Sequence, residues 1–153
     1  MSDNTAVAIV MGSKSDQKVA DKCAAVLEDY GIKYETKIIS AHRTPKKCAA
    51  FSEEAESRGI KVIIAIAGLA AALPGTVAAH SLLPVIGVPA PSGALNGVDS
   101  LYSIVQMPPG IPTACVGIGN GANAAHLAAL IIGRTDSSVR KKVAEFRKSF
   151  NDS

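Results

Sequence analysis

Residues 6–11 read Ala-Val-Ala-Ile-Val-Met, a run without one polar side chain, and break straight into Gly12-Ser13-Lys14-Ser15-Asp16. A strand with one wet face alternates polar and apolar residues, whereas a strand apolar throughout is buried on both faces. Such a strand needs helices above and below its sheet. The chain supplies them in turn. Val19, Cys23, Val26, Leu27 and Tyr30 repeat at helical spacing, with Ser15 or Asp16 as the cap and Gly31 as the stop. Residues 33–39 form the second strand. Thr44 and Pro45 open a second helix, which passes Phe51, ends near Arg58 and is closed by Gly59.

The third strand is 62–66, and 67–72 is a loop of small residues. Leu73-Pro74-Gly75 opens a short helix to about Ser81, and 85–88 is the fourth strand. A loop with Pro89, Pro91, Ser92 and Gly93 leads to a helix over 98–105. Pro108, Pro109 and Pro112 make a rigid crossover to a fifth strand at 114–116. An Ala-rich helix over 123–132 and a last helix capped by Asp136 and running to about Ser149 complete the chain. The pattern predicts an α/β three-layer sandwich on a five-stranded parallel sheet.

The 153 residues fit one domain. Its core covers about 5–133, and the helix at about 136–149 is appended. Val139, Val143, Phe146 and Phe150 form an apolar stripe on that helix. With the sheet already covered, the stripe is expected to pack on a neighbouring subunit. A mean hydropathy of +0.24 agrees with a homo-oligomer.

Several classes of function find no support. The longest apolar stretch, 62–73, is shorter than the about 20 residues of a membrane span. Residues 1–4 lack the basic and apolar regions of a signal peptide, so a cytoplasmic location is expected. Cys23, Cys48 and Cys115 are odd in number and scattered, which fits buried thiols rather than a disulfide framework or a zinc site. His80 and His126 read as structural, and no cluster of ligating residues implies a metal. A net charge of +3 is weak for nucleic acid, and the basic last segment has no interleaved aromatics for stacking. Gly117-Ile118-Gly119-Asn120-Gly121 has the wrong spacing for a dinucleotide fingerprint.

Two loops hold the chemistry, each where a strand hands over to a helix, the edge at which open α/β sheets bind ligands. In the first, Gly12 lets a ligand approach the backbone, the Ser13 and Ser15 hydroxyls donate, and a helix N-terminus attracts an anion. It lacks the spacing of a nucleotide P-loop. Asp16 either holds a ribose hydroxyl or caps the helix. The second loop, Ser40-Ala41-His42-Arg43-Thr44-Pro45, sets an imidazole beside a guanidinium. Arginine suits phosphate, and histidine exchanges protons near neutrality. The two loops together point to a phosphorylated small molecule and a proton carrier.

Four blocks carry a resemblance: residues 11–16, 40–45, 73–75 and the long segment 97–108. From about Val7 to Ile132 the chain resembles the N5-carboxyaminoimidazole ribonucleotide mutase family, the small catalytic subunit also called phosphoribosylaminoimidazole carboxylase. The resemblance implies a flavodoxin-like domain assembled as an octamer with sites at subunit contacts. It implies a ribonucleotide phosphate on Ser13, Ser15 and Arg43, a ribose on Asp16, and His42 as proton carrier. Ser40, Ala67, Gly68, Leu73 and Ser92 would line the pocket around the aminoimidazole. The carboxylate would move from the exocyclic nitrogen to ring carbon C4 without metal, ATP or biotin, so no cofactor is expected. An ATP-dependent carboxylating enzyme would be the functional partner.

The chain departs from the family in one place. The common bacterial form reads Gly-Gly-Ala-Ala-His-Leu-Pro-Gly where this chain has Leu69 in place of the second glycine and Ala72 in place of the histidine. Two alternatives stand beside the mutase: a direct carboxylase of aminoimidazole ribonucleotide using CO2, and a non-catalytic phosphoribosyl-binding module. The CO2-using type tends to carry lysine after the histidine, where this chain has Arg43.

Overall fold

The computed structural model describes residues 5–151. The strands are β1 (Val7–Met11), β2 (Tyr34–Ile38), β3 (Val62–Ala67), β4 (Val85–Pro89) and β5 (Ala114–Cys115). They form one all-parallel sheet in the order β2-β1-β3-β4-β5. The helices are α1 (Gln17–Tyr30), α2 (Pro45–Glu54), α3 (Leu73–Ala79), α4 (Val98–Val105), α5 (Gly121–Ile132) and α6 (Ser137–Lys148).

The unbroken apolar runs now have their physical reason. Successive side chains of a strand point to opposite faces. Val7, Ile9 and Met11 of β1 pack with Leu27 of α1 and with Ala124, Ala125 and Ala128 of α5. Ala8 and Val10 face the other way, with Phe51 of α2, Val77 of α3 and Ile104 of α4. β1, β3 and β4 are buried along their whole length. The edges are blunted, as unpaired strands require. β2 is polar and half exposed, and β5 has only two residues, trapped between the 108–112 prolines and Gly117.

Local chemistry shifts several element ends. Asp16 holds the N-cap position of α1 but makes no side-chain cap bond there, and the capping falls to Ser13, one turn earlier. Its hydroxyl accepts from the Ser15 N–H, and Asp16 answers by accepting from the Ser13 N–H at 3.2 Å, a reciprocal capping box. A 3-10 turn, Lys14–Asp16, therefore precedes α1. The second helix ends at Glu54 and tightens into a 3-10 turn over Glu56–Arg58 before Gly59. α5 starts two residues before the expected 123 because Asn120 caps it, its side chain accepting from the Asn123 N–H at 3.0 Å. Gly121 is required there: a Cβ would stand 2.2 Å from the Val19 carbonyl oxygen, so the two helices meet backbone to backbone.

The stripe on α6 divides. Val139 and Val143 are buried in this chain's own core beside α1 and α5. Phe146 and Phe150 remain 41% and 62% exposed.

Candidate active site

The strand order reverses between β1 and β3: β1 continues to β2 on one side, and β3 continues to β4 on the other. Loops leaving such a switch point diverge and open a crevice at the carboxyl ends of the strands. Here the crevice is a cavity of about 450 Å³, walled by the loops after β1, β2, β3 and β4.

The loop after β1 contributes Gly12, Ser13, Ser15 and Asp16. Its shape comes from the capping box, which turns the chain sharply into α1. The Ser15 hydroxyl lies 3.0 Å from that of Ser13. A Cβ on Gly12 would find only ordinary contacts, 3.8 Å from the Ile66 carbonyl oxygen and 3.9 Å from Asp16 Oδ2. The fold therefore tolerates a side chain at this point, and the glycine keeps the cleft floor open. Asp16 is only 6% exposed. Burial pushes its carboxyl up from the usual carboxylate range, and the Ser13 N–H opposes the shift.

The loop after β2 contributes Ser40, Ala41, His42 and Arg43. Ser40 staples it: its hydroxyl accepts from the Arg43 N–H at 3.1 Å, and its carbonyl accepts from the Thr44 N–H and hydroxyl at 2.9 and 2.8 Å. Held in this turn, His42 and Arg43 are exposed on the cleft wall. The Thr44 hydroxyl is spent on Ser40 and makes no cap bond to α2.

Ala67, Gly68, Leu69, Ala70, Ala71, Ala72 and Leu73 supply the apolar wall, and Ser92 and Gly93 close it from the loop after β4. The two loops touch closely. A Cβ on Gly68 would stand 2.3 Å from Ser92 Oγ. The crevice thus gathers Gly12, Ser13, Ser15, Asp16, Ser40, His42, Arg43, Ala67, Gly68, Leu73 and Ser92 around one space.

Sequence reasoning overlooked two features. Lys14 and Lys47 flank Arg43 around an adjoining hollow that shares Gly12, Ser13 and Ser40 with the main cleft. Lys47 lies in the first turn of α2, just past the Arg43 loop, so its distance along the chain could have flagged it. Gly93 is the second: it lines the main cleft beside Ser92.

Residues outside the cleft have local partners. His126 Nδ1 lies 2.7 Å from the Tyr30 hydroxyl, and its ring stacks on Phe146 at 4.7 Å. His80 Nδ1 lies 3.0 Å from Glu53 Oε1. Cys23 is buried, and that burial pushes its thiol up to about 12. Among the described residues no helix is long and apolar enough to cross a membrane, and no cluster of three or more His, Cys, Asp or Glu side chains could hold a metal ion.

Comparison with known proteins shows the family and the fold. The family profile described as AIR carboxylase matches residues 6–153. The chain belongs to the AIR carboxylase family. A Pyrococcus abyssi relative named N5-carboxyaminoimidazole ribonucleotide mutase is 54% identical over 142 residues, 93% of this chain and 82% of that one. The phosphoribosylaminoimidazole carboxylase of Saccharomyces cerevisiae is also 54% identical, over 140 residues, 92% of this chain but 24% of its own length. A crystal structure of Treponema denticola PurE superposes with a TM-score of 0.86 at 36% identity, over 95% of this chain and 91% of that one. The family's flavodoxin-like sandwich is therefore the fold of this chain as well.

Proposed function

We propose that this AIR carboxylase family member is an N5-carboxyaminoimidazole ribonucleotide mutase of purine biosynthesis. The observation that carries the reading is the convergence of four loops on one cleft. The cleft is lined by the Ser13 and Ser15 hydroxyls and the Arg43 guanidinium, by the His42 imidazole, and by the apolar residues Ala67, Ala70, Ala71 and Leu73. The name of the Pyrococcus relative supports the same reaction.

The ribonucleotide phosphate sits against Ser13, Ser15 and Arg43 beside the N-terminus of the α1 segment. The dipole and hydroxyls meet its charge there, and Arg43 offers a fork of donors. Asp16 accepts from a ribose hydroxyl. His42 gives a proton to the exocyclic nitrogen as its bond to the carboxyl carbon breaks and CO2 leaves. The electron-rich ring then attacks CO2 through C4, and His42 takes the C4 proton back. One proton is given and one is taken, so a single imidazole completes the cycle. The dry wall of Ala67, Ala70, Ala71 and Leu73 disfavours water while CO2 is free.

The protein acts as a cytoplasmic homo-oligomer, an octamer in this reading, fed by an ATP-dependent carboxylating enzyme. Tyr102 and Val105 of α4 are 60% and 50% exposed, with Leu95 at 59% beside the same helix, an apolar stripe suited to a second copy.

The test pairs two variants. His42→Asn lowers turnover by about 10²–10⁴-fold, the usual contribution of a positioned acid–base group, while ribonucleotide affinity is kept. Arg43→Ala weakens ribonucleotide binding by about 10- to 100-fold, as loss of a charge-assisted hydrogen bond does. Turnover of His42→Asn near the wild-type rate removes the histidine from the mechanism. Unchanged affinity in Arg43→Ala removes the phosphate contact. Direct carboxylation of aminoimidazole ribonucleotide is the second reading, favoured by the family description and by the name of the yeast relative.

A further inference from the structure

Leu69 is set apart by three observations. Its backbone is left-handed, with φ 54°, a region that leucine seldom enters. Its side chain is 55% exposed although large and apolar, and it stands on the cleft wall. Its Cδ2 lies over Gly93, so near that a Cβ on that glycine would be 2.6 Å away. One residue before it, Gly68 packs against Ser92 in the same tight manner. The loop after β3 is thus joined to the loop after β4 at two successive positions, first by backbone contact and then by a leucine reaching across.

A glycine would take this backbone conformation without strain. A leucine there costs the fold something and leaves apolar surface exposed, so its side chain needs another purpose. The purpose its position offers is closure. It extends the apolar wall of Ala70, Ala71 and Leu73 across to Gly93.

We infer that Leu69 is a positioning residue that seals the cleft and retains CO2 between its release from nitrogen and its capture by C4. The inference rests on the mutase reading, because only a reaction with free CO2 as an intermediate needs such a seal. Leu69 touches no reacting atom. It acts by holding two loops together and by filling the space through which CO2 would leave and water would enter.

The experiment supplies N5-carboxyaminoimidazole ribonucleotide to the purified protein in ¹³C-labelled bicarbonate, with carbonic anhydrase present to equilibrate solution CO2. The readouts are the fraction of 4-carboxylated product carrying label and the amount of aminoimidazole ribonucleotide released, both corrected for spontaneous decarboxylation. Wild-type protein passes its own carbon on, with little label. In Leu69→Gly the labelled fraction rises about tenfold, the effect of a drop of about 1.4 kcal/mol in the barrier to escape. Leu69→Ala removes the reach without freeing the backbone and shows the same rise, whereas Leu69→Met keeps the reach and stays near wild type. A residue that merely supported the fold would lower the rate and leave the labelled fraction alone. A labelled fraction unchanged in both Leu69→Gly and Leu69→Ala overturns the inference. Absence of product with the wild-type protein overturns the mutase reading itself, and the two failures are told apart before any variant is made.

Discussion

At the scale of single residues, Asp16 separates the needs of folding from those of the site. Burial raises its carboxyl pKa in the folded chain, so the native state holds the proton more tightly than the unfolded state does. Its ionised form therefore works against folding, and stability falls as pH rises from the unfolded value through the folded one. Asp16→Asn keeps an acceptor for the Ser13 N–H and removes the buried charge. We predict folding stability at neutral pH equal to or above wild type by chemical denaturation, together with weaker ribonucleotide binding by calorimetry. A stable variant with unchanged affinity would leave Asp16 a capping residue alone. The placement of His42 and Arg43 in one cleft with Ser13 and Ser15 was legible in the sequence because both loops leave the carboxyl ends of strands that pair. The cap was not legible. Ser13, Ser15 and Asp16 are all good cap residues within four positions, and only the reciprocal bond pair selects Ser13. The φ of 54° at Leu69 was also hidden. The sequence marked the residue as a departure, but nothing in a leucine side chain announces a left-handed backbone.

At the scale of elements, the apolar runs fixed β1, β3 and β4 because no other use of so many β-branched residues in a row leaves them dry. The short β5 was harder, since its length is set by the prolines before it and the glycine after it rather than by its own side chains. α6 shows where amphipathic pattern reaches its limit. A stripe says that a face is covered, not by which element. Val139 and Val143 found room beside α1 and α5 in a chain whose sheet had looked fully covered. The join has a titratable component. His126 lies between Tyr30 and Phe146, and its pKa is lowered first by burial and then by Arg147, with Asp29 opposing. A histidine whose folded pKa lies below its unfolded value contributes stability that is present above the unfolded pKa, about 6.5, and is lost as pH falls below it. We predict that stability measured by denaturation declines between neutral pH and the folded pKa of His126. In His126→Phe this decline is smaller than in wild type. An equal decline in both proteins would show that His126 is not its source.

At the scale of the whole molecule, the strand order decides where function can be. Parallel strands send every βα loop to one edge, and the reversal at β1 and β3 spreads those loops enough to admit a ligand. Residues far apart in the chain, Ser13 and Ser92 among them, line one cleft for that reason, and the missing side chain of Gly68 lets the loop after β3 close on Ser92. Tyr102 and Val105 of α4 remain exposed on the outside of that frame. The central claim is the direction of carbon flow through the cleft. The measurement that tests it most directly is a pair of ultraviolet assays on the purified protein. One supplies N5-carboxyaminoimidazole ribonucleotide without added bicarbonate, and the other supplies aminoimidazole ribonucleotide with excess bicarbonate. The account predicts that the C4-carboxylated product forms predominantly in the first. Efficient formation only in the second would contradict it and make this protein a carboxylase that draws CO2 from solution.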